Sequence, residues 1–237
     1  MIRLGILLGT AGEYCVRFFL RRTRGSISPS ERAQWLHKSC RTGLRRLRIE
    51  GEVTGSFPER GLLISNHMSY LDILVYSSIS PCVFVSKKEV KSWPIFGPMA
   101  RMAGTVFIDR SRSADTRRVN AEMEEALSRG AVVVLFPEGT SSDGSSVLPF
   151  RPALFDAAVK AGVRITPAHL RYEVSEGSAA NDVCYWGSMS FFPHLLRLLS
   201  KHEVRARVHF SAASTVFEDR KIAAQATCET VRELGQL

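Results

Sequence analysis

The feature of this sequence that most constrains the fold is the uninterrupted apolar run Ala131–Phe136. A strand with one solvent-facing side alternates apolar and polar residues, whereas a strand covered on both sides does not. The run therefore predicts a central parallel strand in a sheet with helices on both faces.

The rest of the chain predicts a regular alternation of elements around this strand. Val119, Met123 and Leu127 recur at helical spacing just before it, and similar helical stretches alternate with short apolar runs from Arg48 onward. Such alternation is typical of an α/β domain with a mixed, largely parallel central sheet. The predicted strands are residues 48–53, 62–65, 82–86, 105–109, 132–136, 165–171, 183–186 and 204–211, and the predicted helices are residues 70–79, 88–102, 115–129, 152–161, 192–200 and 218–234.

The composition fits one globular domain with a short appendage. The chain has 237 residues, of which 45% are hydrophobic and 23% charged, so it can bury a core and does not have a disordered composition. Its five cysteines form neither a C-x-x-C motif nor a cluster with histidines. We therefore expect reduced cysteines, no metal site and a folded body in a reducing compartment.

Positive charge is concentrated at the N-terminus. Residues 1–48 hold eleven Lys and Arg residues against two acidic ones, whereas the rest of the chain holds 21 of each sign. A basic segment of this kind attracts polyanions, either nucleic acid or an anionic membrane surface. The arginines alternate with aliphatic residues and Phe, without a recognition-helix or RNA-binding signature, so the sequence favours a lipid surface and no nucleic acid.

The same segment predicts two helices. Residues 4–20 have helical apolar spacing, but Glu13 and Arg17 interrupt it and leave no uncharged stretch long enough to span a bilayer. Ser28 and Glu31 are typical of a capping box at the start of a second helix. We expect amphipathic membrane-binding helices at residues 1–47 and an α/β domain at residues 48–237. The alternative is a second helix docked on the body with a solvated basic face.

Three polar motifs follow predicted strands. They are N-H-x-x-x-x-D at residues 66–72, G-x-x-F-x-x-R at residues 104–110 and F-P-E-G-T at residues 136–140. Ligands of an open α/β sheet bind in the crevice beyond the carboxyl ends of its strands. The motifs therefore predict a site at that edge.

His67 and Asp72 of the first motif could not meet on one straight helix, because residues five apart lie about 140° apart around its axis. We expect Ser69 to act as a helix N-cap, which makes a turn and directs Asp72 back toward His67. The alternative is that Ser69 and Asp72 form only a capping box and His67 is an ordinary loop histidine.

Together the motifs resemble the defining blocks of the lysophosphatidate acyltransferase family, over roughly residues 48–215. Residues 66–72, 104–110 and 136–140 match its first three blocks, and residues 166–168 are similar to a weaker fourth. Two N-terminal membrane-binding helices are similar to what some bacterial members carry. Ser141 follows the third block, where the family also has arginine, which leaves open whether Arg151 contacts a phosphate.

The resemblance implies transfer of a fatty acyl group from acyl-CoA or acyl carrier protein to a lysophospholipid hydroxyl, most simply lysophosphatidic acid to phosphatidic acid, without a cofactor. His67 would accept the hydroxyl proton and Asp72 would orient its ring. Arg110 suits a phosphate, because a guanidinium binds it through two parallel hydrogen bonds. The other predicted substrate-binding residues are Asn66, Gly104, Phe107, Glu138, Gly139, Thr140 and Arg151.

Two alternatives stay open. The acceptor could be another lysolipid, such as lyso-ornithine lipid, because phosphate recognition rests mainly on Arg110; or the chain could be a non-enzymatic peripheral membrane-binding protein. In either case we expect it on the cytoplasmic side of the inner membrane, peripheral or monotopic. Four aromatic residues could line an acyl tunnel, although such residues are more often core: Trp93, Trp186, Phe191 and Phe192.

Overall fold

The computed structural model describes residues 2–109 and 113–237 and contains a seven-stranded sheet flanked by helices. The strands are β1 (Ile49–Thr54), β2 (Gly61–Ser65), β3 (Val83–Lys87), β4 (Val106–Ile108), β5 (Val132–Leu135), β6 (Ile165–Val174) and β7 (Val204–Phe210). The helices are α1 (Ile2–Arg22), α2 (Pro29–Arg46), α3 (Leu71–Ile79), α4 (Phe96–Ala103), α5 (Ser113–Ser128), α6 (Asp156–Lys160), α7 (Ala179–Asp182), α8 (Phe191–Ser200) and α9 (Arg220–Leu234).

The sheet has the strand order β1-β7-β6-β2-β5-β3-β4. Every neighbouring pair is parallel except β6 and β7, which run antiparallel. The prediction of a mixed, largely parallel sheet is therefore confirmed. β2 and β5 lie side by side near its centre, and every residue of both strands is buried.

Two hydrophobic clusters lie on opposite faces of this sheet, because successive side chains of a strand point to opposite sides. On β2, Leu63 belongs to a cluster built with α1–α4 and α8, whereas Leu62 and Ile64 belong to a cluster built with α5, α6 and α9. We call these the α3 face and the α5 face. The apolar run of β5 is divided between them in the same way.

The two N-terminal helices pack on the α3 face. α2 begins as predicted, since the Ser28 hydroxyl accepts a hydrogen bond from the Glu31 amide and the Glu31 carboxylate accepts one from the Ser28 amide. Leu7 of α1 and Leu36 and Leu44 of α2 are buried in the same cluster as α3. The helices thus share a core with the body, while a domain boundary after residue 47 stays a prediction. In the described part of the chain, no helix is long and apolar enough to cross a bilayer.

The predicted helix over residues 88–102 is interrupted. A short 3₁₀ turn spans Lys88–Ser92, and α4 starts only at Phe96. Pro94 lies between them and has no amide hydrogen to continue a helix, and Ile95 has a non-helical backbone with a positive φ of 66°. The prediction missed this break because it gave the apolar spacing priority over the proline.

The predicted strand over residues 183–186 was also wrong. Val183 and Cys184 are buried, as an apolar run suggests, but their amides donate to the carbonyl of Ala179, the first residue of α7. The next amide, that of Tyr185, donates to the Met68 carbonyl at 2.7 Å. The segment is therefore a buried loop tied to the first motif.

Candidate active site

His67 and Asp72 form a hydrogen bond in the loop between β2 and α3. Their Nδ1 and Oδ2 atoms are 2.7 Å apart, as predicted, but the local geometry differs from the prediction. The helix begins at Leu71, and the Asp72 carboxylate itself accepts the amides of Met68 and Ser69, at 2.8 and 3.0 Å. Asp72 therefore both shapes the loop and holds the imidazole.

The Asp72 carboxylate is fully buried and receives one more hydrogen bond. The hydroxyl of Tyr172, on β6, donates to its second oxygen at 2.7 Å. Our sequence reasoning missed Tyr172, because it is 100 residues away and only the adjacency of β6 and β2 brings it close. The four donors fix the carboxylate, and an N–H at Nδ1 of neutral His67 leaves the lone pair on Nε2 free to accept a proton.

The imidazole of His67 lies against the third motif. Its ring stacks on Phe136, with centroids 4.2 Å apart and planes at 12°, and the side chain is 21% exposed. The Ser142 amide donates to the His67 carbonyl at 2.9 Å. The end of β5 therefore fixes the orientation of a histidine that still reaches open space.

Asn66 ties the same loop to β6. Its amide nitrogen donates to the Leu170 carbonyl, and its amide oxygen accepts from the Leu170 amide, both at 2.9 Å. The side chain that we predicted to bind substrate is thus engaged inside the protein. Its observed contacts position the residues around His67.

Glu138 is a buried carboxyl group with spare hydrogen-bonding capacity. One oxygen accepts the Leu148 amide at 3.3 Å, and the other has no hydrogen-bond partner in the described part of the chain. Burial raises the pKa of Glu138 to about 8, and the negative charge of Asp72 adds to the shift, although the backbone amides of Leu148 and His67 oppose it. Near neutral pH, Glu138 can therefore donate a hydrogen bond from its free oxygen.

Gly139 allows a close approach that a larger residue would prevent. Its φ is 76°, and a Cβ atom there would lie 2.7 Å from the Nε of Arg151. The Arg151 amide donates to the Pro137 carbonyl at 2.9 Å, which holds this exposed arginine beside the motif. Thr140 is exposed at the same turn.

The second motif is described only in part. Arg110 lies outside the described residues. Gly104 ends α4 in a left-handed conformation with φ of 80°, and Phe107 is the middle residue of β4. Of this motif's described residues, Thr105 and Ile108 line the cavity that reaches His67, and Gly104 and Phe107 do not. The visible role of Gly104 is thus to end a helix.

An apolar cavity of about 190 Å³ leads from His67 into the α3 face. Its walls come from α1, α2, α3, α4 and the ends of β3 and β5. Trp93 lines it, and Phe191 packs behind Trp93 with ring centroids 4.7 Å apart. Two other predicted tunnel residues face solvent instead, since Phe192 is 57% and Trp186 38% exposed. Tyr185 also lines the cavity. We did not identify this residue from the sequence, because residues 183–186 were assigned to a strand.

Comparison with known proteins places this geometry in a family. The Acyltransferase family model matches residues 30–171, more than half of the chain, and the chain therefore belongs to this family. It is 36% identical over 191 residues to the lyso-ornithine lipid O-acyltransferase of Rhizobium meliloti, covering 76% of this chain and 65% of that protein. It is 36% identical over 168 residues to the 1-acyl-sn-glycerol-3-phosphate acyltransferase of Neisseria meningitidis, covering 71% and 66%.

The chain thus spans slightly less than two thirds of the length of these relatives. A crystal structure is also similar, that of the 1-acyl-sn-glycerophosphate acyltransferase PlsC from Thermotoga maritima, with a TM-score of 0.67 and 19% identity. The match covers 94% of this chain and 85% of that one. At this identity the likeness shows a shared fold.

Proposed function

We propose that this protein transfers a fatty acyl group from a thioester to the free hydroxyl of a lysolipid. The observation that carries the proposal is the hydrogen-bonded His67–Asp72 pair, with a free Nε2, at one end of an apolar cavity. An acyl transfer between a thioester and an alcohol needs a base and an apolar place for a chain. The names of the relatives support the same reaction class.

In the proposed reaction, Nε2 of His67 accepts the proton of the acceptor hydroxyl as its oxygen attacks the thioester carbon. Asp72 holds the ring and stabilises the imidazolium that forms. The carbon–sulfur bond then breaks, the new ester remains, and the imidazolium returns its proton to the departing thiolate. No covalent bond to the protein is needed, because a thiolate leaves readily.

For the acceptor we propose lysophosphatidic acid. Arg110 and Arg151 would bind its phosphate, and protonated Glu138 would donate a hydrogen bond to the glycerol part, which avoids repulsion between two anions. Lyso-ornithine lipid is the second candidate, since the Rhizobium and Neisseria relatives are equally identical to this chain. Gly139 and Thr140 would shape this end of the site.

We further propose that the protein works peripherally on the cytoplasmic leaflet, where the acceptor resides, with α1 and α2 against the lipid. The outer side of α1 is apolar, with Ile2, Leu8, Val16, Phe19 and Leu20 exposed. The cavity walls contributed by both helices would then hold a fatty chain that enters from the bilayer. The acyl donor is either acyl-CoA or acyl carrier protein.

The test is acyl transfer by the purified protein, with lysophosphatidic acid and lyso-ornithine lipid as acceptors and acyl-CoA and acyl carrier protein as donors. Phosphatidic acid formed with either donor supports the preferred proposal. Product from lyso-ornithine lipid alone selects the second candidate. Absence of product in all four combinations, with folded protein and with vesicles present, would reject the enzyme.

A further inference from the structure

Helix α8 exposes apolar side chains although it belongs to the α3 face. His194, Leu195, Leu198 and Leu199 are buried. The opposite side of the helix presents Phe192, which is 57% exposed, and Leu196, which is 40% exposed. Single exposed apolar residues are common, but neighbouring ones on adjoining elements mark a contact surface.

The charge around α8 suits an anionic partner. Residues 187–202 contain no acidic residue, and although Lys201 is ion-paired with Asp182 at 2.8 Å, Arg197 and His202 are exposed. Arg197 is exposed next to Leu196. Basic side chains bordering apolar ones are typical of helices that lie in the headgroup region of a bilayer.

The surface of α8 adjoins that of α1. The Arg3 guanidinium, in the first turn of α1, donates hydrogen bonds to the carbonyls of Lys201 and His202, just after the last turn of α8. The exposed apolar side of α1 starts at the neighbouring Ile2. The two helices are thus joined at one end, and both present apolar groups to solvent.

The segment before α8 connects this surface to the candidate active site. Trp186 is partly exposed, and its indole N–H donates to the Ala180 carbonyl at 3.0 Å. The preceding residue, Tyr185, lines the cavity that contains His67, and its carbonyl accepts the Ser141 hydroxyl. An amphipathic Trp in this position is typical of residues at a membrane interface.

We propose that α8 and Trp186 form a second membrane-contact surface, which docks on an anionic lipid bilayer beside the active-site cavity. This inference rests on the proposed function, because a lysolipid acceptor is the reason for the cavity to open next to lipid. The bilayer would contact Phe192, Leu196 and Trp186, and Arg197 would face anionic headgroups. The protein would then meet the membrane through α8 as well as through its N-terminal helices.

The experiment compares vesicle binding of the full chain with that of Phe192→Asp, using phosphatidylcholine vesicles with and without phosphatidylglycerol. We expect about tenfold weaker binding of the variant to the anionic vesicles, because an exposed apolar side chain that would enter the bilayer is replaced by a negative charge. Ile222→Asp is the matched control, since Ile222 is an exposed aliphatic residue on α9, which packs on the opposite face. It should bind like the parent protein.

A second pair of variants covers the case in which Phe192→Asp does not fold. Phe192→Trp should show additional fluorescence quenching by brominated lipids, whereas Ile222→Trp should not. Unchanged binding of a folded Phe192→Asp, or equal quenching of the two tryptophan variants, would overturn the proposal.

These measurements do not depend on the chemistry. A parent protein that acylates no lysolipid would refute the proposed function, yet binding and quenching would still decide the membrane contact. If both proposals hold, Phe192→Asp should acylate a monomeric short-chain lysolipid at the parent rate and a vesicle-bound lysolipid about tenfold more slowly, in line with its weaker binding.

Discussion

The two faces of the sheet are built from the same strands but are covered differently. On the α5 face, side chains such as Val119 and Met123 fill a closely packed cluster, and both are about 1% exposed. On the α3 face, the covering helices leave a cavity that extends to His67, and α1 and α8 expose apolar groups on their outer sides. One face is therefore a closed core, while the other combines a core with the cavity that the proposed function assigns to a fatty chain.

The difference arises where strands end. β2 and β5 are adjacent and parallel, so the loops that follow them meet at one edge, with His67 on one loop and Phe136 on the other. Both loops carry buried polar groups that are held by hydrogen bonds, Asn66 after β2 and Glu138 after β5. Substitutions there should impair catalysis, and substitutions on the α5 face should impair stability.

The largest effect among residues that position His67 is expected for Asp72→Asn. An amide cannot stabilise the imidazolium or fix its tautomer as a carboxylate does, so turnover should fall about 10³-fold or more. Asp182→Asn is the control, because Asp182 also accepts a backbone amide, that of Ser178, but lies outside the site. Acylation rates and thermal unfolding check this. Equal losses of turnover and stability in Asp72→Asn would indicate a purely structural role.

Met123→Ala tests whether the α5 face mainly stabilises the fold. Removing a buried side chain from the α5 face should lower the free energy of unfolding by about 2–5 kcal/mol, because a cavity is left behind. Turnover per folded molecule should stay within about twofold, because Met123 itself does not line the cavity that contains His67. Denaturant unfolding measures the loss of stability. Acylation rates measured well below the unfolding temperature check the turnover. A specific loss of turnover would show that the two faces are coupled.

Glu138→Gln should change how stability depends on pH. The folded state holds the Glu138 proton up to a pKa of about 8, against an ordinary value of 4.5. Between these values the unfolded chain releases the proton and the folded chain does not, so this group's contribution is full below pH 4.5 and declines as pH rises through 8. In the parent protein, the free energy of unfolding therefore loses at most about 1.4 kcal/mol per pH unit through Glu138. A glutamine does not titrate, so Glu138→Gln lacks this loss.

Unfolding of the parent and of Glu138→Gln from pH 5 to pH 8.5 measures this difference. The variant should gain in stability relative to the parent as pH rises. Parallel curves would mean that Glu138 is ionised in the folded protein, and the proposed hydrogen bond to the acceptor would then be wrong.

The smallest expected effect belongs to Tyr172→Phe. Loss of one hydrogen bond to Asp72 should slow turnover about fivefold, or about 1 kcal/mol. Because the carboxylate would then stabilise the imidazolium more strongly, the acid limb of kcat/KM should move to higher pH. Tyr76→Phe loses a buried bond of similar length, to Ser65 at 2.7 Å, and should leave the pH profile unchanged. If kcat/KM depends on pH in the same way in both variants and in the parent, Tyr172 has no positioning role.

Much of this arrangement could be predicted from local pattern. The apolar run before Pro137 indicated a doubly covered strand, and Ser28 with Glu31 indicated the start of α2. Such features depend on burial and on hydrogen bonds between near neighbours. The pairing of His67 with Asp72 followed from the motif, although the N-cap is Tyr70 and not Ser69, and the Asp72 carboxylate also holds the loop by accepting the Met68 and Ser69 amides.

Contacts between distant strands could not be predicted in this way. Tyr172 reaches Asp72, and Leu170 reaches Asn66, only because β6 lies beside β2. The loop of Tyr185 is apolar enough to resemble a strand, yet it is held by the Met68 carbonyl and not by a sheet neighbour. In both cases the decisive hydrogen bonds join residues that no local spacing relates.

The most direct test of the account is the rate of acyl transfer by His67→Ala, measured beside the parent protein with the same donor and acceptor. We predict a loss of about 10³-fold or more, because the base that accepts the hydroxyl proton is removed. Vesicle binding should be unchanged and the variant should remain folded, with a lower melting temperature because the buried Asp72 carboxylate loses one of its hydrogen-bond donors. A folded His67→Ala protein that still forms the ester at close to the parent rate would contradict the account.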